Sequence, residues 1–293
     1  MSSLWRPIRE REAVRSLMVV VAHPGDEAFG FAGAIATAAA AGAYVVVVCV
    51  TRGWYDTRVT DAAPAPGGKN RDVKQAAIIW RNVDTVREDE LRRSVAMLGV
   101  RVVRMLDYAE GELAAADFDR LVGRLVEPIR MHRPDVILTF GPEGVTGDAD
   151  HVVVSQAVTA AYELAGQPLA YEDDIEEDQV AWRAAKLYHL VVPSELAAEV
   201  IGDRNPGGDY GSSATPTVEL ALGDLAGLKL AAISRHVTQT GSDGAFHDWE
   251  PGDRDAWLSS EHYRLALSAL PLPLPLPVAP GEAAESSIFD GLP

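Results

Sequence analysis

Apolar runs, separated at regular intervals by segments with helical patterning, set the outline of this chain. Leu17 to Ala22 is apolar throughout, as a strand buried on both faces of a parallel sheet must be. Asp26 to Ala41 is Ala/Gly-rich and predicts a helix ended by Gly42, with Gly30 and Gly33 allowing close packing on the sheet. Tyr44 to Val50 is a second β-branched run. A long connection follows from Thr51 to about Asp84, holding Pro64, Pro66, Gly67 and Gly68; such lengths mark functional or disordered loops. Thr85 to Leu98 predicts a helix charged on one face, and Arg101 to Leu106 a third strand. Phe118 to His132 predicts a helix broken around Pro128, and Asp135 to Phe140 a fourth strand. After a Gly/Pro loop at 141–147, Asp148 is placed to cap a helix reaching about Leu164. This alternation predicts an α/β fold, a Rossmann-like three-layer α/β/α sandwich with a mostly parallel sheet.

The remainder is less regular. Tyr171 to Asp178 is an acidic, solvated run, Ala185 to Val192 a further strand, Gly202 to Thr215 a Gly/Ser/Asn loop, and Leu225 to His236 an amphipathic helix. From Leu270 a Leu-Pro alternation can supply neither helix nor sheet ladders and predicts an extended polyproline-like segment. The expected organisation is one α/β domain over 1–268 and a Pro-rich C-terminal tail over 269–293. That tail is either mobile or packed on a partner subunit, so a homo-oligomer is one of the expected assemblies.

Composition narrows the field. Of 293 residues, 26 are Lys or Arg and 43 are Asp or Glu, a formal charge of −17. That balance argues against nucleic acid or an anionic membrane as partner, because both need basic neutralisation. Ala28 to Val50 has no charged residue and is long enough to span a bilayer, but it changes character at Gly42-Ala43. A buried helix followed by a buried strand accounts for both halves. The single cysteine, Cys49, excludes an intrachain disulfide, and residues 2–15 lack the apolar core of a signal peptide; a cytoplasmic location is expected.

The chemistry gathers where strands end. In open α/β sheets, ligands bind beyond the carboxyl ends of the strands. Three segments reach that rim: His23 to Glu27, Thr51 to Trp54, and Gly141 to His151. Singly, His23 could merely end a strand, Asp26 favour a helix dipole, and Asp148 cap a helix. Together His23, Asp26 and His151 form a two-histidine, one-carboxylate set, the way catalytic zinc (Zn2+) is held with a position left for water. Such zinc acidifies water and polarises carbonyls, which suits amide or ester hydrolysis. Arg52 lies at the same rim as a sugar or phosphate contact. Trp54, with Tyr55 and Trp80 in the long connection, is a candidate sugar platform or lid. The spacing of Gly25, Gly30 and Gly33 is not Gly-x-Gly-x-x-Gly, which argues against a dinucleotide site.

Ala22-His23-Pro24-Gly25-Asp26-Glu27 resembles the Ala-His-Pro-Asp-Asp-Glu hallmark of the PIG-L/LmbE-like zinc-dependent N-deacetylases. Gly147-Asp148-Ala149-Asp150-His151 is similar to that family's Gly-His-Pro-Asp-His. Thr51-Arg52-Gly53, Arg87-Glu88-Asp89-Glu90-Leu91, and Ser234-Arg235-His236-Val237-Thr238-Gln239 also look like the family's, so the resemblance covers roughly residues 16 to 240. It implies removal of an N-acyl group, N-acetyl above all, from an amino-sugar, sugar conjugate or natural product. The partner implied is thus a small N-acylated molecule, with Arg87 and His236 joining Arg52 and Trp54 as substrate-binding candidates. Two positions depart. Gly25 stands where the family has its general base, and Asp148 where it has a histidine assisting the tetrahedral intermediate or the leaving amine. Asp148, helped by Asp150, is therefore the expected catalytic pair. Alternatively Gly25 leaves room for a different substrate, or the chain is a base-less or inactive member that binds a sugar-like ligand.

Overall fold

The computed structural model describes residues 14–53, 83–171, 179–200, 212, 214–240, 251–270 and 285–292. Trp54 with the connection through residue 82, the acidic run 172–178 and the Leu-Pro repeat at 271–284 lie outside the described residues.

Among the described residues seven strands form one sheet: β1 (Ser16–Val21), β2 (Tyr44–Thr51), β3 (Val102–Tyr108), β4 (Val136–Phe140), β5 (Lys186–Val191), β6 (Val218–Ala221) and β7 (Ser260–Ser268). Their order is β3-β2-β1-β4-β5-β7-β6. The first five pair in parallel, with Val19 opposite Val47 on one side and Leu138 on the other. β7 runs antiparallel to β5 and to β6, an edge pair the sequence pattern does not announce. β6 has only four residues and β7 is half-buried along most of its length, so neither shows a clean period of two.

Helices α1 (Asp26–Ala40), α2 (Val83–Met97), α3 (Phe118–His132), α4 (Ala149–Ala165), α5 (Ser194–Val200), α6 (Leu225–Ile233), α7 (Val237–Thr240) and α8 (Pro251–Ser259) cover the sheet. α1 packs on α6 and α2, while α3 packs on α4. Gly30 and Gly33 allow the expected close approach: β-carbons there would lie 2.7 Å from Leu190 Cδ2 and 2.1 Å from Leu222 Cδ2. The apolar stretch from 28 to 50 divides into α1 and β2, and no helix among the described residues is long and apolar enough to cross a membrane.

One expectation needs correction. α3 runs through Pro128 unbroken. The buried Arg130 guanidinium braces its last turn by donating to Ala165 O and Gln167 O, and Arg133 closes it in the left-handed conformation. Of the C-terminal tail, residues 285–292 lie against the sheet. Lys186, 1% exposed at the start of β5, needs a counter-charge there, and Glu285 supplies it at 2.5 Å while accepting from Tyr188 at 2.7 Å.

The chain steps outward from β1 to β2 and β3, then returns to β4 on the other side of β1. The switch point of the sheet, where a crevice opens, is therefore at the carboxyl ends of β1 and β4.

Candidate metal centre

Both histidine-bearing segments leave the sheet at that switch point. β1 ends at Val21, and His23-Pro24-Gly25 turns sharply into α1, with Asp26 N donating to His23 O at 3.2 Å. Gly25 precedes the helix at φ +114, a conformation that residues with a β-carbon avoid. Across the crevice the 141–147 loop holds Val145 at φ 64, which is strained for a β-branched residue. It leads to Asp148, whose Oδ1 caps α4 by accepting from Asp150 N at 2.8 Å and His151 N at 3.1 Å.

Hydrogen-bond partners assign the two ring tautomers. His23 Nε2 donates to Asp150 Oδ2 at 3.1 Å, which leaves Nδ1 as the ligand nitrogen. His151 Nδ1 donates to Gly144 O at 3.1 Å, which leaves Nε2. Both free nitrogens converge on one oxygen: Asp26 Oδ2 is 3.6 Å from His23 Nδ1 and 3.3 Å from His151 Nε2. His151 is fixed by stacking on Phe140, centroids 4.0 Å apart at 4°. A carboxylate oxygen of Asp148 also belongs to the cluster; with one nitrogen from each of His23 and His151, these atoms lie within 4.8 Å of one another. Two imidazole lone pairs and carboxylate oxygens so gathered fit a divalent transition metal by donor type and by spacing.

The electrostatics agree. Burial works to lower the His23 pKa, but the Asp150 hydrogen bond and the charges of Asp26, Glu110 and Asp148 outweigh it and raise it to about 9. Burial works to raise Asp26, yet the two histidines hold it at about 2. His151 is likewise raised, burial being outweighed chiefly by Asp26. A cation placed between these groups would displace protons from the rings and keep the carboxylate ionised.

The other sequence-derived candidates fall into three places. Asp150, 2% exposed, sits behind His23 and also accepts from Gly111 N at 2.6 Å and Leu113 N at 3.1 Å. That geometry holds the His23 ring in place. Arg52 is at the rim, ion-paired with Asp107 at 2.6 Å. Arg87 and His236 both bond partners next to the loop that carries His23 and Asp26. Arg87, 4% exposed, donates to Pro24 O at 3.2 Å and Glu110 at 2.5 Å. His236, fully buried, bonds Glu27 Oε1 at 2.7 Å. Trp54 lies outside the described residues.

Sequence reasoning missed the frame behind the ligand loop. Glu27 accepts from Gly25 N at 2.8 Å through Oε2 and from Ser94 Oγ at 2.6 Å through Oε1, besides bonding His236. In the sequence, Glu27 is indistinguishable from an acid favoured in any first helical turn.

A family profile described as PIG-L, GlcNAc-PI de-N-acetylase, matches residues 18–162. A 1D-myo-inositol 2-acetamido-2-deoxy-alpha-D-glucopyranoside deacetylase of Rhodococcus jostii is 31% identical over 293 aligned residues, covering 87% of this chain and 92% of its own. Among solved structures, N,N'-diacetylchitobiose deacetylase from Pyrococcus horikoshii superposes with a TM-score of 0.64 at 18% identity, over 89% of this chain and 87% of that one. The 4-carboxy-2-hydroxymuconate hydratase GalB from Pseudomonas putida KT2440 gives a TM-score of 0.62 at 16% identity, over 89% of this chain and 100% of that one. The fold alone thus accommodates more than one chemistry.

Proposed function

This chain belongs to the PIG-L family, and from that premise we propose that it is a zinc-dependent hydrolase removing an N-acetyl group from an amino-sugar or sugar conjugate. The observation that carries the reading is the convergence of His23 Nδ1 and His151 Nε2 on Asp26 Oδ2. His23, Asp26 and His151 would hold the metal, which when bound acidifies a water and polarises the amide carbonyl. Asp150 keeps the His23 nitrogen aimed at the centre. Asp148, within reach of both rings and with Oδ1 engaged in capping α4, accepts a proton from the attacking water and returns it to the leaving nitrogen. Arg52 is the rim residue placed to meet a sugar hydroxyl or phosphate.

The substrate class follows the relatives: a glucosamine-type sugar whose 2-acetamido group enters the crevice. A single buried thiol, Cys49, suits a cytoplasmic enzyme. A second reading, a family member that binds such a sugar without turnover, is favoured by one feature, the glycine at 25. Acetate release from 1D-myo-inositol 2-acetamido-2-deoxy-α-D-glucopyranoside and from N,N'-diacetylchitobiose, with zinc and with a chelator, separates the two. Zinc-dependent release on either supports the hydrolase; stoichiometric zinc with no release on any acetylated amine supports the binding role.

A further inference from the structure

Gly25 and the carboxamide of Gln239 compete for one volume. A β-carbon on Gly25 would lie 2.5 Å from Gln239 Oε1, 3.0 Å from Nε2 and 3.1 Å from Cδ. The turn that carries Gln239 is tethered just before that contact. His236 is bonded to Glu27 at 2.7 Å, and Gln239 N donates to His236 O at 2.9 Å. Thr238 donates to the Glu90 carboxylate twice, from N at 2.9 Å and from Oγ1 at 2.5 Å. Glu27 in turn takes the Gly25 N–H at 2.8 Å, so the same frame grips the ligand loop and the turn lying against it. Gln239 Oε1 is buried without a hydrogen-bond partner, a costly state that places packing rather than hydrogen bonding at the head of its role.

We propose that Gln239 is a positioning residue for the metal-binding loop: wedged against Gly25, it holds the peptide between His23 and Asp26 and fills the space that a side chain at position 25 would take. The inference rests on the proposed metal centre. Two consequences follow. Proton transfer has to come from the far wall of the crevice, where Asp148 stands. A carboxylate installed at 25 would also have to displace the Gln239 carboxamide.

The test is a double-substitution cycle on the full chain, using Gly25→Ala, Gln239→Gly and both together. Zinc affinity is read by competition with a chromogenic chelator, and the melting temperature of the metal-free protein is read alongside. The strain of φ +114 is common to both backgrounds and cancels in the cycle. Gln239→Gly is expected to weaken zinc about tenfold, in the range of outer-shell effects on metal sites. Gly25→Ala is expected to lower both zinc affinity and melting temperature in the parent, and to cost measurably less when Gln239 is already glycine. Gln239→Leu, which keeps the bulk and removes the amide, is expected to retain parental zinc affinity to within about threefold. Additive effects of Gly25→Ala in the two backgrounds, with zinc bound normally by the parent, would overturn this inference alone. Failure of the parent to bind zinc would overturn the proposed function and this inference together.

Discussion

At the start of β5, Lys186 is buried with Glu285 2.5 Å away, and Tyr188 and the Asp290 carbonyl complete the cluster. Beyond the end of β1, a less deeply buried set puts two ring nitrogens around a single carboxylate oxygen, with the opposite side of each ring already bonded. The first cluster is balanced by the chain alone: one cation, one anion, hydrogen bonds between them. The second balances itself only by holding protons that a metal ion would displace. That difference separates a fastening from a site. A buried polar group that is fully answered serves stability. Donors all aimed at one point, each steadied from behind, are arranged for something that is not part of the chain.

The contrast can be broken most severely at Asp148. Asn caps a helix as well as Asp, so Asp148→Asn should leave α4 intact. Deacetylation is expected to fall by about 10²–10⁴-fold, with zinc content and melting temperature little changed. A loss smaller than tenfold would remove Asp148 from proton transfer. Glu285→Ala probes the other cluster by leaving Lys186 charged without its counter-ion. It should cost about 3–5 kcal/mol in chemical denaturation while zinc affinity stays put. A change in zinc affinity would show that the two regions are coupled.

Asp150→Asn comes next, with zinc affinity expected to drop about 10- to 100-fold. The smallest effect is that of pH. The His23 pKa is raised to about 9 in the folded, metal-free protein, so its stabilising contribution is full below the unfolded value near 6.5 and fades as pH climbs through 9. Asp26 works the other way, contributing above about 4 and fading only as pH falls through 2. Thermal scans from pH 6 to 9.5 should therefore show the metal-free protein losing stability over the interval in which zinc binding tightens, because zinc needs neutral rings. Parallel trends would contradict the assigned proton distribution.

How much of this was legible beforehand depends on range. β1 to β5 and the helices beside them could be read because each carries its own signal, an unbroken β-branched run or a capped, Gly-ended helix. His23, Asp26 and His151 could be read because their motifs sit at strand ends, where topology alone brings them together. The pairing of Lys186 with Glu285 spans 99 residues, and no local pattern carries it. The bonds of Arg87 to Pro24 and Glu110, and of His236 to Glu27, join residues far apart in the chain and leave no local signal. Gln239 lies in the four-residue helix Val237–Thr240, too short for periodicity to say where the side chain goes.

The claim that two imidazoles and the Asp26 carboxylate share one metal is met most directly by X-ray absorption at the zinc edge on the purified protein, beside His23→Ala and His151→Ala. The account expects one zinc per chain, with imidazole nitrogens at about 2.0–2.1 Å in the parent and the site emptied by either substitution. A parent that takes up no stoichiometric zinc, or variants that keep the same nitrogen shell, would contradict it.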